Sequence, residues 1–257
     1  MFTLIMVWCG NALQAVIVYR AFRARLLRRY PFFYAYVIST LLSFFLLSFV
    51  YLAHIGSYSG MYAKFYWPIQ FATLILGCGI VWEVLNHVLA PYPGAEKFAR
   101  VSGIVAFGIV FCLTLIVVLA APGRSAAGSL VDLEKSLRTV QAVILFGVLV
   151  TISYYRIPVG RNLRGMMLGY GVYVGTVVAD FAIWAYAGPR LQSVWAFAPP
   201  LSYLLSLAIW LTALWSYCPN PAPESNVRVE EDYELLASRT RKALQLARSQ
   251  LTRTVRP

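Results

Sequence analysis

The chain has 257 residues, of which 60% are hydrophobic and 12% are charged. This composition excludes an ordinary water-soluble domain and predicts a polytopic membrane protein. The net charge of +12 does not indicate nucleic-acid binding, because the basic residues lie between apolar runs and in the tail, where the positive-inside rule places them. The four cysteines lack C-x-x-C spacing, so we expect neither a disulfide framework nor a metal site made from them.

Seven apolar runs, each close to the roughly 20 residues that cross a hydrocarbon core, predict an all-α, seven-transmembrane-helix bundle. Most arginines of the first run follow it, which is typical of a retained helix rather than a cleavable signal peptide. Lysine and arginine concentrate in alternate loops, so we expect the N-terminus outside and the C-terminus in the cytoplasm. The predicted spans are Phe2–Phe22, Phe32–Ile55, Phe65–Leu89, Val101–Ala121, a fifth helix that continues to about Tyr155, Gly165–Ala187 and Val194–Cys218. Asp132, Glu134 and Lys135 lie in the outer loop before the fifth helix or in its first turn.

Prolines mark several predicted boundaries. We expect a cytoplasmic turn at Pro91 to Arg100, with Pro93 inside it. The pair Pro199-Pro200 either starts the seventh helix late or kinks it, and both outcomes free backbone groups that must face protein or water.

Residues 1–218 form the predicted transmembrane domain, and residues 219–257 form a cytoplasmic tail with a short amphipathic helix. Acidic residues lead and basic residues follow in this tail, which suits a helix dipole. The apolar stripe is narrow, so three interpretations stay open: a helix on anionic lipid, a partner helix or coiled coil, and a solvated tail. The stripe comprises Tyr233, Leu236, Thr240, Ala243, Ala247 and Leu251.

The sixth run holds two G-x-x-x-G pairs and one carboxylate. Gly165 with Gly169, and Gly171 with Gly175, have the spacing that lets another helix approach closely in lipid. Asp180 must face protein or water, because a carboxylate in hydrocarbon costs several kcal/mol. The sixth helix is therefore expected at the centre of the bundle.

A ligand-binding pocket that opens outward near Asp180 is the functional interpretation of this region. Polar or aromatic residues at about the same membrane level are the candidate members of the site. The structural alternative is an ion pair or hydrogen bond of Asp180 with Arg138 or Gln141 that only fixes helix packing. The candidate ligand-binding residues are Asp180, Gln70, Gln141, Arg138, Trp184 and Tyr203.

Glu83 and His87 share one face at the inner end of the third helix. They could present two metal ligands, but further ligands of the right type are missing nearby, so we expect no metal. We expect Glu83 to pair with an arginine of the first inner loop, as a cytoplasmic latch or as a packing contact. On helix one, Asn11 and Gln14 form a polar stripe that we interpret as interhelical hydrogen bonds rather than as a water-filled path.

An internal duplication of three helices, one linker helix and three helices is a further hypothesis. Gln14-Ala15-Val16-Ile17 recurs as Gln141-Ala142-Val143-Ile144. Because apolar helices use few residue types, such short matches also arise by chance.

No catalytic motif is present in the sequence, so an enzyme is unsupported, and we expect no cofactor. Two functions remain beside a structural membrane subunit. The first is a receptor-like sensor coupled through its tail to a cytoplasmic partner or a second copy of the chain, and the second is a small-solute or proton-coupled transporter. We favour the sensor because of the helical pattern of the tail, and we expect a multi-pass protein of the plasma (inner) membrane in contact with the lipid bilayer.

Overall fold

A computed structural model of the chain describes residues 2–53, 60–120, 126–186 and 195–221, with residues 231–232, 234–235, 237–242 and 245 of the tail. These residues form helices and connecting turns, and none of them is in a strand. The helices are α1 (Phe2–Arg23), α2 (Pro31–Ala53), α3 (Gly60–Leu89), α4 (Pro93–Ala120), α5 (Ala126–Tyr155), α6 (Arg161–Tyr186) and α7 (Ala198–Ala213). The described tail residues from 231 onward are helical as well.

Within the described residues, five helices are long and apolar enough to cross a membrane. They are α1, α2, α3, α5 and α6, and many of their large apolar side chains face outward, as expected when lipid is the solvent. The chain is therefore an all-helical, multi-pass membrane protein. The predicted count of seven spans and the predicted orientation stay predictions, since α4 and the 16-residue α7 are not among the five.

Two proline-marked boundaries are resolved by the structure. The predicted turn at Pro91 to Arg100 is wrong in part, because α4 begins at Pro93. Proline suits the first position of a helix, where its missing N–H would have no partner. The Pro199-Pro200 pair starts α7 late and does not kink it, since α7 begins at Ala198. The predicted span ends at Ile55, Ala121, Ala187 and Val194 lie outside the described residues.

Six of the described helices pack as a closed ring, with α4 outside it. The helix α1 contacts α2 and α7, α5 contacts α3 and α6, and the pairs α2 with α3 and α6 with α7 pack most extensively. The helix α4 lies against α3 and α5. Corresponding helices of the two predicted three-helix units thus have corresponding neighbours, which is what the duplication hypothesis expects.

The close approach of α6 and α7 confirms one of the two predicted G-x-x-x-G contacts. A Cβ atom at Gly165 would meet Ala213, and one at Gly169 would meet Trp210. The Ser206 hydroxyl donates to the Gly169 carbonyl at 2.7 Å. The prediction for Gly171 and Gly175 is wrong, because no atom of the described chain lies within 4 Å of a Cβ at either position.

One half of the ring is filled by large, fully buried side chains. The rings of Phe33 on α2 and Trp210 on α7 meet edge to face with centroids 5.0 Å apart, and both are 0% exposed. Met166 of α6 fills the space beside them, and the Trp210 indole N–H points at its carbonyl at 3.4 Å. This half contains the ends of α1 and α7, where Arg20 donates to the Trp215 carbonyl at 2.7 Å. We call it the arginine-rich end and the opposite half the N-terminal end.

Candidate functional site

A cavity of about 350 Å³ lies in the N-terminal half of the ring. Its size falls in the lower part of the range of about 300–1,000 Å³ that is usual for small-molecule sites. Six helices contribute to its wall, since only α4 lies outside the ring. The lining includes Met6, Val7, Asn11, Gln14, Tyr36, Thr40, Ser43, Phe44, Leu47, Tyr66, Ile69, Gln70, Thr73, Arg138, Tyr173, Pro200, Tyr203 and Leu204.

One wall of the cavity is held by a three-way hydrogen-bond cluster of α1, α2 and α7. The Gln14 amide donates to the Tyr203 hydroxyl at 2.9 Å. The Tyr203 hydroxyl donates to Thr40 Oγ1 at 3.4 Å, and Thr40 lies 3.4 Å from the Gln14 amide oxygen. Interhelical hydrogen bonds of this kind are worth about 0.6 kcal/mol each in membranes. The cluster therefore fixes the relative positions of three helices, in line with the interpretation of Gln14 as a packing residue.

The opposite wall carries a buried ion pair on α5. Arg138 Nε donates to Glu134 Oε1 at 2.8 Å, and the Gln70 amide of α3 donates to the same oxygen at 2.8 Å. Arg138 is only 3% exposed. A buried charge must be paired and hydrogen-bonded to be tolerated. Glu134 therefore neutralises Arg138 and accepts a hydrogen bond from its Nε. The hydrogen bond from Gln70 to Glu134 also links α3 to α5.

The other side of the Arg138 guanidinium belongs to the cavity. Among the described residues, no group accepts a hydrogen bond from its two terminal nitrogens. The guanidinium carbon lies 5.3 Å from the centre of the Tyr173 ring, which itself stands 5.2 Å from the Tyr203 ring. Tyr36 is almost fully buried, and both Tyr36 and Tyr173 line the cavity. Arg138 therefore presents to the cavity N–H groups that have no acceptor among the described residues, with the two tyrosines beside it.

Gln141 lies beneath the cavity rather than in its wall. It is 0% exposed, and its amide oxygen accepts from the Tyr170 hydroxyl at 3.0 Å. Its amide nitrogen donates to Cys78 Sγ at 3.2 Å and to the Leu74 carbonyl at 3.4 Å. These contacts join α5 to α6 and α3, so Gln141 acts as a packing residue in this arrangement.

Of the six predicted ligand-binding residues, the structure places Gln70, Arg138 and Tyr203 in the lining of one cavity. Asp180 and Trp184 do not line that cavity. Asp180 is partly buried and lies about two helical turns, roughly 10 Å, beyond Tyr173 on the same face of α6. Trp184 is 66% exposed. The charged group of the cavity is Arg138, and the ion pair that fixes Arg138 is made with Glu134 and not with Asp180.

Glu83 has a different partner from the one predicted. The expected pairing with an inner-loop arginine is wrong, since Glu83 Oε2 accepts from the backbone N–H of Phe33 at 3.0 Å. Phe33 lies in the first turn of α2, where backbone N–H groups have no partner within the helix. Glu83 is 4% exposed and so caps a neighbouring helix from inside the bundle, where the positive end of the helix dipole favours a carboxylate. His87 Nδ1 lies 2.8 Å from the Glu83 carbonyl oxygen.

Tyr30 lies beside this cap in the turn between α1 and α2. Its ring stacks at a tilt on His87 with centroids 5.2 Å apart. Burial raises the pKa of Tyr30 to about 12, with the nearby phenol of Tyr217 and the Glu83 carboxylate adding to the effect. The phenol therefore stays protonated in the folded chain throughout the neutral range.

A short segment after α7, residues 214–221, closes the arginine-rich end, and we call it the strap. The Asn162 amide of α6 donates to the carbonyls of Ala213 and Ser216 at 3.1 and 2.9 Å, and its oxygen accepts from the Cys218 N–H. Arg29 donates to the Tyr217 hydroxyl at 2.7 Å with its guanidinium 4.0 Å from the ring centre. The strap leads into the tail, whose Asp232 accepts from the Tyr155 hydroxyl at 3.0 Å.

Tyr36 and Thr40 are among the cavity residues that the sequence reasoning missed. They lie one helical turn apart on one face of α2, so the pair itself was a visible signal. The capping role of Glu83 gave no such signal, because the helix that it caps lies 50 residues away in sequence. The described tail is helical as predicted, although most of its predicted apolar stripe, Thr240 excepted, lies outside the described residues.

Comparisons with known protein families, with curated proteins and with solved structures find no match.

Proposed function

We propose that the protein is a receptor-like membrane sensor that binds a small molecule in the cavity at the N-terminal end. The proposal rests on one observation: a single cavity of about 350 Å³ combines an apolar wall with a buried arginine whose terminal N–H groups have no acceptor among the described residues. Small-molecule sites combine these features: mostly apolar lining and a few polar groups that fix orientation. Arg138 replaces Asp180 as the charged centre of the proposed site.

The helices that line the cavity also hold the strap, which supports coupling to the tail. Tyr173 of α6 lines the cavity, while Asn162 of the same helix binds the strap about 16 Å away along the axis. Tyr203 and Leu204 of α7 line the cavity, and α7 continues into the strap. A ligand that shifts α6 against α7 would therefore change the strap and the start of the tail. A ligand can signal only if it binds one conformation of the protein more tightly than another.

Transport is the second candidate, and one observation favours it. The polar contacts do not stop at the cavity floor, since Tyr170, Gln141 and Cys78 continue toward the arginine-rich end. In the present arrangement Phe33 and Trp210 close that end. A transporter would have to separate these rings, whereas a sensor would not.

Accessibility of cysteines placed on α2 tests the premise of both candidates. Ser43 lines the cavity, whereas the adjacent Leu42 is 61% exposed on the outer surface of the ring. A charged, membrane-impermeant thiosulfonate added from the N-terminal side should modify Ser43→Cys and leave Leu42→Cys unmodified in lipid. Peptide mass spectrometry would read both sites, with the native Cys9 as an internal reference for a thiol on the outer surface. Equal modification of the two positions would contradict a water-accessible cavity.

Two further measurements separate sensing from transport. Hydrogen exchange of peptides spanning residues 214–242 should change when Ser43→Cys is modified, if occupancy of the cavity reaches the tail. Compounds from a library that raise the unfolding temperature of the purified protein should then be tested for uptake into proteoliposomes. Uptake that depends on the protein would favour the transporter, and changed tail exchange without uptake would favour the sensor.

A further inference from the structure

We infer that the ligand is a monoanionic amphiphile, with an oxyanion such as a carboxylate at Arg138 and an apolar chain or ring system toward the N-terminal end. This inference rests on the proposed binding function of the cavity and adds the chemical class of the ligand. It follows from the hydrogen-bond inventory of the cavity floor, from the charges around it and from the character of its walls.

The floor of the cavity offers donors that match an oxyanion. The Arg138 guanidinium has a fork of N–H groups on the side away from Glu134, and that side has no acceptor among the described residues. Arginine presents donors in a planar fork that fits a carboxylate with two parallel hydrogen bonds. Tyr36 and Tyr173 also line the cavity. An oxyanion at this point would accept charge-assisted hydrogen bonds from Arg138, which are roughly twice as strong as hydrogen bonds between neutral groups.

The charges of the site exclude a cationic ligand and favour an anionic one. Arg138 is the one charged residue among those that line the cavity in the described chain. The Glu134 carboxylate lies behind Arg138, and its Oε1 already accepts from Arg138 and from Gln70. Glu134 itself is not among the residues that line the cavity. A cation entering the cavity would meet the guanidinium first and be repelled, and the low local dielectric strengthens that repulsion.

The remaining wall defines the size and character of the rest of the ligand. Met6, Val7, Phe44, Leu47 and Leu204 form an apolar surface away from Arg138. A volume of about 350 Å³ corresponds to about a dozen water molecules at roughly 30 Å³ each. A complete two-chain phospholipid is several times larger, so only its anionic head or one chain could enter. A free acid with about ten carbons fills the space.

Decanoate is a suitable probe, with decan-1-ol and decylammonium as its neutral and cationic analogues. The full chain in nanodiscs of zwitterionic phosphatidylcholine would be titrated with radiolabelled decanoate at neutral pH, with empty nanodiscs as the background. We expect decanoate to bind at least about tenfold more tightly than decanol, as charge-assisted hydrogen bonds to a buried arginine would give, and decylammonium not to compete. Nanodiscs that contain anionic phosphatidylglycerol would show whether a lipid headgroup supplies the same chemistry, because the lipid would then compete with decanoate.

The variants are chosen so that folding and recognition are separated. The double substitution Arg138→Gln with Glu134→Gln removes both charges and leaves no buried ion without a partner, and it should abolish the preference for decanoate over decanol. Tyr36→Phe and Tyr173→Phe each remove one hydroxyl and should weaken decanoate binding several-fold without weakening decanol binding. Tyr203→Phe is the matched control, because this hydroxyl is already bonded to Gln14 and Thr40, so it should change binding of the two probes equally.

The outcomes distinguish this inference from the function on which it rests. If decanol binds to wild type as tightly as decanoate, or if the neutral double variant keeps the preference, the anionic class is refuted while a ligand-binding cavity stands. If neither probe binds and Ser43→Cys is also unreactive, both the ligand class and the proposed function fail. Competition by phosphatidylglycerol, with the same dependence on Arg138, supports the shared anionic chemistry and identifies the bilayer as its source.

Discussion

The contact between α6 and α7 can be tested by adding one methyl group at Gly169. A Cβ atom built there would lie 2.7 Å from Cδ1 of Trp210. Carbon atoms pack at about 3.5–4.0 Å, so the two helices or the indole would have to move by roughly 1 Å. The indole has little room to move, because it is 0% exposed and packs edge to face on Phe33. Overpacking of this kind costs about 1–3 kcal/mol.

Gly171→Ala is the matched control on the same helix, because nothing in the described chain lies within 4 Å of a Cβ at that position. Both substitutions replace glycine by alanine inside a helix and share the gain of about 0.5–1 kcal/mol in backbone entropy and helix propensity. We therefore expect Gly169→Ala to be less stable than Gly171→Ala by about 1–3 kcal/mol. The comparison removes the propensity term and leaves the packing term.

Reversible unfolding by sodium dodecyl sulfate in mixed micelles, followed by far-ultraviolet circular dichroism, would measure this difference. The free energies of unfolding of wild type and both variants would be compared at the same micelle composition. Equal stability of the two variants would refute the close contact of α6 with α7 at Gly169. It would also remove the basis for coupling the cavity to the strap through these two helices.

Three further predictions concern the arginine-rich end. Glu83→Ala should lower the free energy of unfolding by about 1–3 kcal/mol, because it leaves the Phe33 N–H unpaired, and Glu83→Gln should cost less because it keeps an acceptor; equal losses in the same unfolding assay would contradict the capping role. Because the pKa of Tyr30 is about 12 in the folded chain against a usual 10, its stabilising effect is complete below pH 10 and is lost as the unfolded phenol ionises between pH 10 and 12. Wild type should therefore lose more stability over that interval than Tyr30→Phe, and parallel profiles would contradict the burial of this phenol. Asn162→Ala should free the strap and speed the reaction of Cys218 with a thiol reagent at least several-fold, while the rate at Cys9 stays constant; an unchanged rate at Cys218 would show that Asn162 does not hold the strap.

The sequence was sufficient to predict which segments form membrane-spanning helices, because this property depends on whether lipid or water surrounds the chain. Long apolar runs and the scarcity of charge predicted helices of membrane-spanning length, and the boundaries of α1 and α2 differ from the predicted ones by at most one residue where they are described. Gly165 and Gly169 also predicted a close helix contact, because their spacing has a direct steric meaning. The sequence could not predict which helix these glycines contact, since Ala213 and Trp210 lie more than 40 residues away along the chain.

The candidate site was predicted only in part, because the sequence gives the depth of a residue in the membrane but not the direction in which its side chain points. Gln70 and Arg138 were chosen by their estimated depth in the membrane, and depth is given well by a constant rise per residue. The angular position of a side chain depends on which helices are neighbours, and that information is not local. Asp180 has a suitable depth and shares a face with Tyr173, yet the cavity wall ends before it is reached. Glu83 illustrates the same limit, since a carboxylate in an apolar helix predicts a partner without saying whether that partner is a side chain or a helix end.

The two halves of the ring differ in the room that they leave beside their polar groups. At the arginine-rich end several described polar groups are paired across helices: Glu83 with the start of α2, Asn162 with the strap, and Arg29 with Tyr217. Arg20 Nε and the hydroxyls of Tyr34 and Tyr92 are buried at that end without a hydrogen-bond partner among the described residues. At the N-terminal end the terminal N–H groups of Arg138 have no acceptor among the described residues and lie beside a cavity of about 350 Å³. A hydrocarbon solvent cannot supply hydrogen bonds, so the N-terminal half, which has room for a ligand, is where binding can add hydrogen bonds to a buried charge.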